Sequence, residues 1–469
     1  MTTIDRPPAQ DSHSAEPRRI LFVEASRFTS YGGSKRFVAN VVSAMDRDRW
    51  MPHVVFYRFG PYVDELRRMG VWVRSLDDRV EAPGGESVTG DSVPLSGLRT
   101  RSRLVGVRRT ASGEVVRTGF RRFAWELRCL LRLIYLDARK SRRLDPLLPE
   151  RVDLIHYNSE MFEHYEWAHL ARRLGVPYVL RENGPWRART AAWRIVARHA
   201  SSIICLTEER ARMIREKSGG RARADVVPNG ISTRDFAPRR SREAVRAGLG
   251  VPSGAFLIVT AASYLPERGQ VLGLEAAAAL AGQGIEFLWI FCGATLSGDY
   301  RRQVLERAAL PALASRVRVL DEVREMADLF AAADLAITTA IEPPAFDNSV
   351  LEAMASGTAV LVPNEGANPD ILEAGRHGFL YEPRNAASLA GSLRRIIESP
   401  ETRAAMAHSG RRRVEEEFDL DVQVKKLSAI YERALSEQAA PSHRRRWIGP
   451  KDCRSPHAEP PAGRAQGVL

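Results

Sequence analysis

Residues 341–372 read IEPPAFDNSVLEAMASGTAVLVPNEGANPDIL, and the reading of this stretch decides the fold. A polar loop leads into a short apolar helix, and the run AVLVP at 359–363 that follows reads as a buried strand. Ser349 and Glu352 have the spacing of a capping box, in which the serine caps the helix and the glutamate reaches back to the cap's own N–H. On that reading Glu352 is a local fastener worth about 1 kcal/mol. The same geometry supports a second reading. Open α/β sheets bind ligands outside the carboxyl ends of their strands, and free amides at a helix start suit a diphosphate. A carboxylate beside them could accept two hydrogen bonds from a ribose diol. The motif by itself leaves both readings open.

Strand and helix alternate on either side of this stretch. RRILFVEA at 18–25 is an apolar run bounded by charge and predicts a buried parallel strand. YGGSKRFVANVVSAM then predicts a glycine turn and a helix burying Phe37, Val38, Val41, Val42 and Met45. Further strands are expected at HVVFYRF, VWVRSL, DLIHYN, YVLREN, SIICLT and ADVVPNG, most of them separated by helical stretches. The pattern restarts near Ala255 with AFLIVTAAS, FLWIFCG, RVRVL, LAITTA, AVLVP and GFLYEP. Alternation of this kind calls for parallel sheets with crossover helices. At 469 residues the chain exceeds what one core organises, so two α/β domains in tandem are expected.

The expected division is a disordered leader over 1–17, a first Rossmann-like domain over 18–235, and a second over 236–416. A helix over 417–436 and a disordered tail over 437–469 follow. A basic insertion over 81–143 interrupts the first domain. Much of the net charge of +13 belongs to this insertion: residues 99–143 carry 14 Lys or Arg against Glu114, Glu126 and Asp137. Residues 81–117 read as a loop, and Phe120–Arg143 as a helix. That helix would present Phe120, Phe123, Ala124, Leu127, Leu131 and Ile134 on one side and Arg121, Arg128, Arg132 and Arg139 on another. It would either pack on the first domain or lie on an anionic membrane surface. Nucleic acid is not an expected partner, because the segment lacks a recognised fold and a stacking platform.

Four cysteines, Cys129, Cys205, Cys292 and Cys453, stand far apart with no CxxC pair, which suits a reducing cytoplasm. The first residues lack an apolar core, so no signal peptide is expected. No apolar run approaches the roughly 18–20 residues that span a bilayer. No cluster of His, Cys or carboxylates reads as a metal site.

Weaker signals gather at the expected carboxyl edges. Gly32 and Gly33 could let backbone approach a phosphate, although YGGSKR is neither GxGxxG nor a Walker loop. Arg268, in SYLPERGQ, stands where a helix begins, an unfavourable place for a cation unless an anion joins it. Asn229 and Gly230 form a turn pair able to take positive φ. His156 and Asn158 end one strand, and Arg181 and Glu182 end another.

In order and together, YGGSKR, VVPNG, PERG, FCGA, LFAAADLAI and residues 346–383 resemble the retaining glycosyltransferases of family 4, which have the GT-B fold. The resemblance implies two Rossmann-like domains facing across a cleft, and a nucleoside diphosphate sugar as donor. It implies that Glu352 binds the ribose, that amides around Asn348, Ser349 and Val350 hold the diphosphate, and that Arg268 neutralises the leaving phosphate. By the same matching Gly32, Gly33, Asn229, Gly230, Glu342 and Phe346 are donor-side. His156 is the catalytic group beside the sugar, and Asn158, Arg181 and Glu182 are acceptor-side. It implies a metal-independent, cofactor-free hexosyltransferase with a lipid-linked or glycan acceptor. Two departures stand out. The family's first glutamate, separated from the second by seven residues, is replaced by Pro344, with Glu342 nearby; and the basic residue before PE(K/R)G is replaced by Ser263. A catalytically silent nucleotide-sugar binder is therefore the alternative reading. A nucleotide-sugar epimerase is a third, which the NSVLEAMASG match opposes.

Overall fold

The computed structural model describes residues 16–25, 33–57, 61–75, 108–109, 115–116, 120–158, 165–182, 191–342 and 346–439. Gly32 lies outside them, as do residues 1–15 of the leader, 440–469 of the tail and most of 81–117. Within that inserted segment Arg108–Arg109 and Val115–Val116 form a two-stranded antiparallel ladder.

Two parallel sheets organise the chain. Across the first, the strands run Trp72–Ser75, Trp50–Phe56, Arg18–Glu24, Leu154–Asn158, Tyr178–Arg181, Ser202–Cys205 and Ala224–Val226. Across the second they run Val317–Leu320, Phe287–Cys292, Phe256–Ala261, Leu335–Ile337, Val360–Pro363 and Phe379–Tyr381. Both sheets place their first strand inside and reverse strand order beside it. Each therefore has a switch point: between Arg18–Glu24 and Leu154–Asn158, and between Phe256–Ala261 and Leu335–Ile337. Loops leave the carboxyl edge in opposite directions there and open a crevice. The central strands are buried on both faces, as continuous Val/Ile/Leu runs require. Helix Gly33–Ala44 buries the predicted stripe Phe37, Val38, Val41 and Val42.

The chain passes between the domains twice, at neighbouring points. Ile231 and Asp419 form a parallel bridge, with the Ile231 N–H donating to Phe418 O and the Leu420 N–H to Ile231 O, both at 3.0 Å. Asp419 accepts from the Thr233 hydroxyl (2.6 Å) and from the Asp421 amide (2.9 Å), fixing the start of helix Leu420–Ala439. That helix packs on the first domain, where Val424, Leu427, Ile430 and Tyr431 join a core containing Phe22, Phe37 and Val38.

The return helix explains two residues that were expected in a ligand site. Gly230 does not take a positive φ. A Cβ there would come within 2.8 Å of Gln423 Cγ and 3.1 Å of the Leu420 backbone, so the glycine makes room for the incoming helix. His156 does not face a cleft. Its ring is fully buried, stacked on Phe22 at 5.0 Å, and its Nδ1 lies 2.6 Å from Tyr431 Oη. Burial, and then the nearby Arg181 cation, lower its pKa from 6.5 to about 3.

This depressed histidine makes stability depend on acidity. Between about pH 6.5 and 3 the unfolded chain takes up a proton at His156 that the folded one refuses, so its contribution is complete above 6.5 and is lost as pH falls. By pH 5 this group alone should cost about 2 kcal/mol. Thermal melts of the wild type and His156→Gln at pH 7 and pH 5 test this: the acid-induced drop in Tm should shrink in the variant, and equal drops would refute it.

Candidate functional site

The helix Asn348–Ala355 is capped by Asp347, not by Ser349. One Asp347 oxygen accepts from the Ser349 amide (3.3 Å) and hydroxyl (2.8 Å), and the other accepts from the Thr338 hydroxyl (2.9 Å). Thr338 follows the strand at the switch point, so the cap ties the helix tip to the sheet edge. The capping-box reading of Ser349 and Glu352 therefore fails. Asp already occupies the cap, which leaves the glutamate a turn further on with no cap amide to reach.

Glu352 points instead across the interdomain cleft. Its Oε1 accepts from Arg36 Nη1 at 2.6 Å, and Arg36 belongs to the first-domain helix Gly33–Ala44. The carboxylate side chain is only 9% exposed, whereas that of Arg36 is 40% exposed. Burial raises the Glu352 pKa, with Asp347 adding to the rise, and Arg36 opposes it. A second polar bridge runs beside this one, with the Asn229 amide donating to Asn348 Oδ1 at 2.8 Å. Asn229 is held from behind by Arg181, whose guanidinium donates to Asn229 Oδ1 (2.7 Å) and Val227 O (3.2 Å) and lies 3.5 Å over the Phe37 ring. Asn229, Gly230, Asn348 and Glu352 thus line one recess with Arg36, Phe37 and Asn40.

Arg268 lies apart from that recess, on the turn Pro266–Arg268 at the carboxyl edge of the second sheet. Gly269 follows at φ +66, where a Cβ would sit 2.0 Å from Thr339 O, so only glycine lets this turn press against the neighbouring loop. The Thr339 hydroxyl donates to Arg268 O at 2.9 Å, and Tyr264 anchors the loop through Phe291 O (3.0 Å) and Leu320 O (2.6 Å). The Arg268 guanidinium is half-buried and has no hydrogen-bond partner among the described residues. Glu342 is exposed, and both it and Ile341 donate backbone N–H to Glu267 O, which sets Glu342 beside the Arg268 turn. Pro344 lies outside the described residues. Val350 is buried in the core, and Phe346 packs on Phe418 at 6.2 Å.

The residues expected on the acceptor side are enclosed. Asn158 is fully buried at the first switch point, where its amide donates to Glu24 and meets Ser34 O at 3.0 Å. The Ser34 hydroxyl also donates to Glu24, at 2.7 Å. Ser34 is the second residue of the helix that Gly33 begins. Arg181 is sealed from solvent and serves as the buried anchor of Asn229. Burial lowers its pKa to about 9. Glu182 is buried at the end of its strand, where its amide donates to Ile204 O.

Arg36 and Asp347 were missed in the sequence. Arg36 had a signal: it stands in the first turn of a helix that has no acid there, the same dipole conflict that singled out Arg268. Among the described residues no group of three or more His, Cys, Asp or Glu could hold a metal ion, and no helix is long and apolar enough to cross a membrane.

Comparison with known proteins agrees with this architecture. A family model described as Glycosyltransferase Family 4 matches residues 31–235, and one described as Glycosyl transferases group 1 matches residues 241–413. The D-inositol 3-phosphate glycosyltransferase of Streptomyces avermitilis is 27% identical over 322 residues, 64% of this chain and 68% of that protein. Among solved structures, a glycosyltransferase from Rickettsia africae superposes with a TM-score of 0.69 at 16% identity, covering 90% of this chain and 99% of that one. HepE of Anabaena, solved in complex with UDP, superposes with a TM-score of 0.65 at 20% identity, covering 88% and 99%. The two family models together span both domains and most of the chain, which is therefore a glycosyltransferase of family 4 with the GT-B fold.

Proposed function

We propose that the chain is a retaining glycosyltransferase that moves a hexose-type sugar from a nucleoside diphosphate to a lipid-linked or polysaccharide acceptor in cell-surface glycan synthesis. One observation carries the reading: Glu352, one turn into the helix beside the second switch point, turns its carboxylate into the cleft and leaves its own backbone alone. A buried carboxylate in that position can accept both hydroxyls of a ribose. HepE, of the same fold, has been solved with UDP and with UDP-glucose, which supports a nucleotide-sugar donor.

In this reading the diphosphate lies against the first-turn amides of Asn348–Ala355, where the helix dipole favours an anion. The unpartnered Arg268 guanidinium takes the charge that develops on the departing phosphate, so neither a metal nor a cofactor is needed. Glu342, fixed next to the Arg268 turn, replaces the carboxylate lost at Pro344. Gly33, which begins the helix whose Ser34 joins the buried Glu24–Asn158 pair, offers its backbone to the diphosphate from the first domain. His156 has no part in the chemistry, since its ring is closed into the core. Donor hydrolysis should then proceed in the presence of a metal chelator. Arg268→Ala should lower turnover about 10²–10³-fold, and Glu352→Ala should abolish it with the far-UV dichroism unchanged. Donor binding without turnover on any lipid or glycan extract would instead favour a silent binder.

Attachment to the inner face of the plasma membrane belongs to the same proposal. The predicted helix runs as Phe120–Leu131, a π-helical turn Arg132–Asp137 and a helix Ala138–Arg142. Its faces differ from those expected. Cys129, Leu130 and Leu133 pack inward, while Leu127 (45% exposed), Leu131 (47%) and Tyr135 (60%) share the outer surface with Arg128 and Arg139. Cations interleaved with exposed apolar side chains suit an anionic lipid surface. Sedimentation with vesicles containing anionic lipid should fall steeply with salt, and the pair Leu127→Asp with Leu131→Asp should release the protein. Equal sedimentation of that variant would overturn the attachment.

A further inference from the structure

We infer that Arg36 is an exchangeable counterion of the donor site: it neutralises Glu352 when no donor is present, and turns to the diphosphate when ribose hydroxyls occupy that carboxylate. The inference rests on the donor reading of Glu352 and adds a binding residue from the opposite domain.

Three observations carry it. The Glu352 side chain is almost closed to solvent, so its charge needs a partner, and Arg36 supplies one at 2.6 Å. A ribose diol satisfies the carboxylate's hydrogen bonds but brings no charge, which leaves the guanidinium facing an incoming anion. Secondly, Arg36 is free to move and Arg181 is not. Glu352 is its one hydrogen-bond partner among the described residues, and the Arg36 side chain is 40% exposed. Arg181, fully buried, is fixed by a carbonyl, an amide oxygen and an aromatic face. Thirdly, Arg36 stands in the first turn of Gly33–Ala44, which has no acidic residue of its own. A cation there opposes the helix dipole, and an anion shared between the two relieves the conflict. The planar guanidinium fork suits phosphate oxygens as well as it suits a carboxylate.

Binding measurements separate the two parts of the nucleotide. UDP, GDP and ADP are titrated calorimetrically into the full chain, each beside its matching nucleoside. For the nucleotide that binds, Arg36→Gln should weaken the diphosphate about tenfold, the loss of one charge-assisted contact, while the nucleoside binds as well as before or better. Arg36→Lys should fall between, and Glu352→Ala should weaken both ligands. Matching melting curves show that each variant is folded. If Arg36→Gln binds the diphosphate as the wild type does, or weakens diphosphate and nucleoside equally, Arg36 is only a bridge between domains and the exchange is refuted while the donor reading stands. If the wild type binds none of the three diphosphates, the donor reading fails and the exchange fails with it.

Discussion

The rest of the structure depends on the bridge between Ile231 and Asp419. Two strands of covalent chain cross from one domain to the other at this point, and backbone hydrogen bonds on either side hold them in register. A single linker would let the sheets swivel freely. Two paired crossings, with Asp419 fastened to Thr233, join the domains more stiffly than one would. On one side of it the return helix buries Leu427 and Tyr431 in the first domain. On the other, Phe418 packs among the second domain's side chains. The position of Arg36 opposite Glu352 follows from this arrangement and from no local feature of either helix.

The buried charges near the crossing divide into fixed and movable ones. Arg181 is fixed in the core by Val227 O, Asn229 Oδ1 and the face of the Phe37 ring. Its burial next to His156 helps hold that imidazole neutral, which in turn lets the histidine stack on Phe22 as an apolar ring. The anchored Asn229 then offers its amide to Asn348. A cation locked in the first domain thereby sets the position of a helix tip in the second through two hydrogen bonds.

Most of the fold was legible in the sequence, and for physical reasons. Runs such as FLIV and FLWIF at the centre of the second sheet are buried on both faces, and only parallel strands covered by helices accommodate such runs. The site was legible in part. Glu352, Asn229 and Asn348 do meet, and Arg268 does stand at a sheet edge. The failures share a cause: each turned on a neighbour distant in sequence. Ser349 resembled a cap until Asp347, tied to Thr338, was seen to hold that position. Gly230 resembled a left-handed turn, but the helix that crowds it begins nearly two hundred residues later, at Leu420. His156 and Arg181 ended strands at the correct edge, yet a helix from the far end of the chain covers the first, and Phe37 and Asn229 enclose the second. On the basic helix the leucines were assigned to the opposite side from Arg128. Cys129, Leu130 and Leu133 took the inward face instead, leaving Leu127 and Leu131 outside beside the arginine.

The lost lysine-like position at Ser263 takes on a different meaning once Arg36 is included. A diphosphate leaving group needs positive charge from some direction, and the second domain offers Arg268 and a helix dipole but no basic residue at Ser263. The first domain holds the Arg36 guanidinium 2.6 Å from the Glu352 carboxylate. Cation supplied from the far side of the cleft differs in one respect from cation supplied locally: its strength depends on how closely the domains approach. Coulomb energy falls with distance and rises as water is expelled, so an arginine reaching across acts fully only when the cleft is shut. On the donor reading proposed above, charge compensation and domain closure become one event, and a donor bound to the second domain alone would lack the field its leaving group requires.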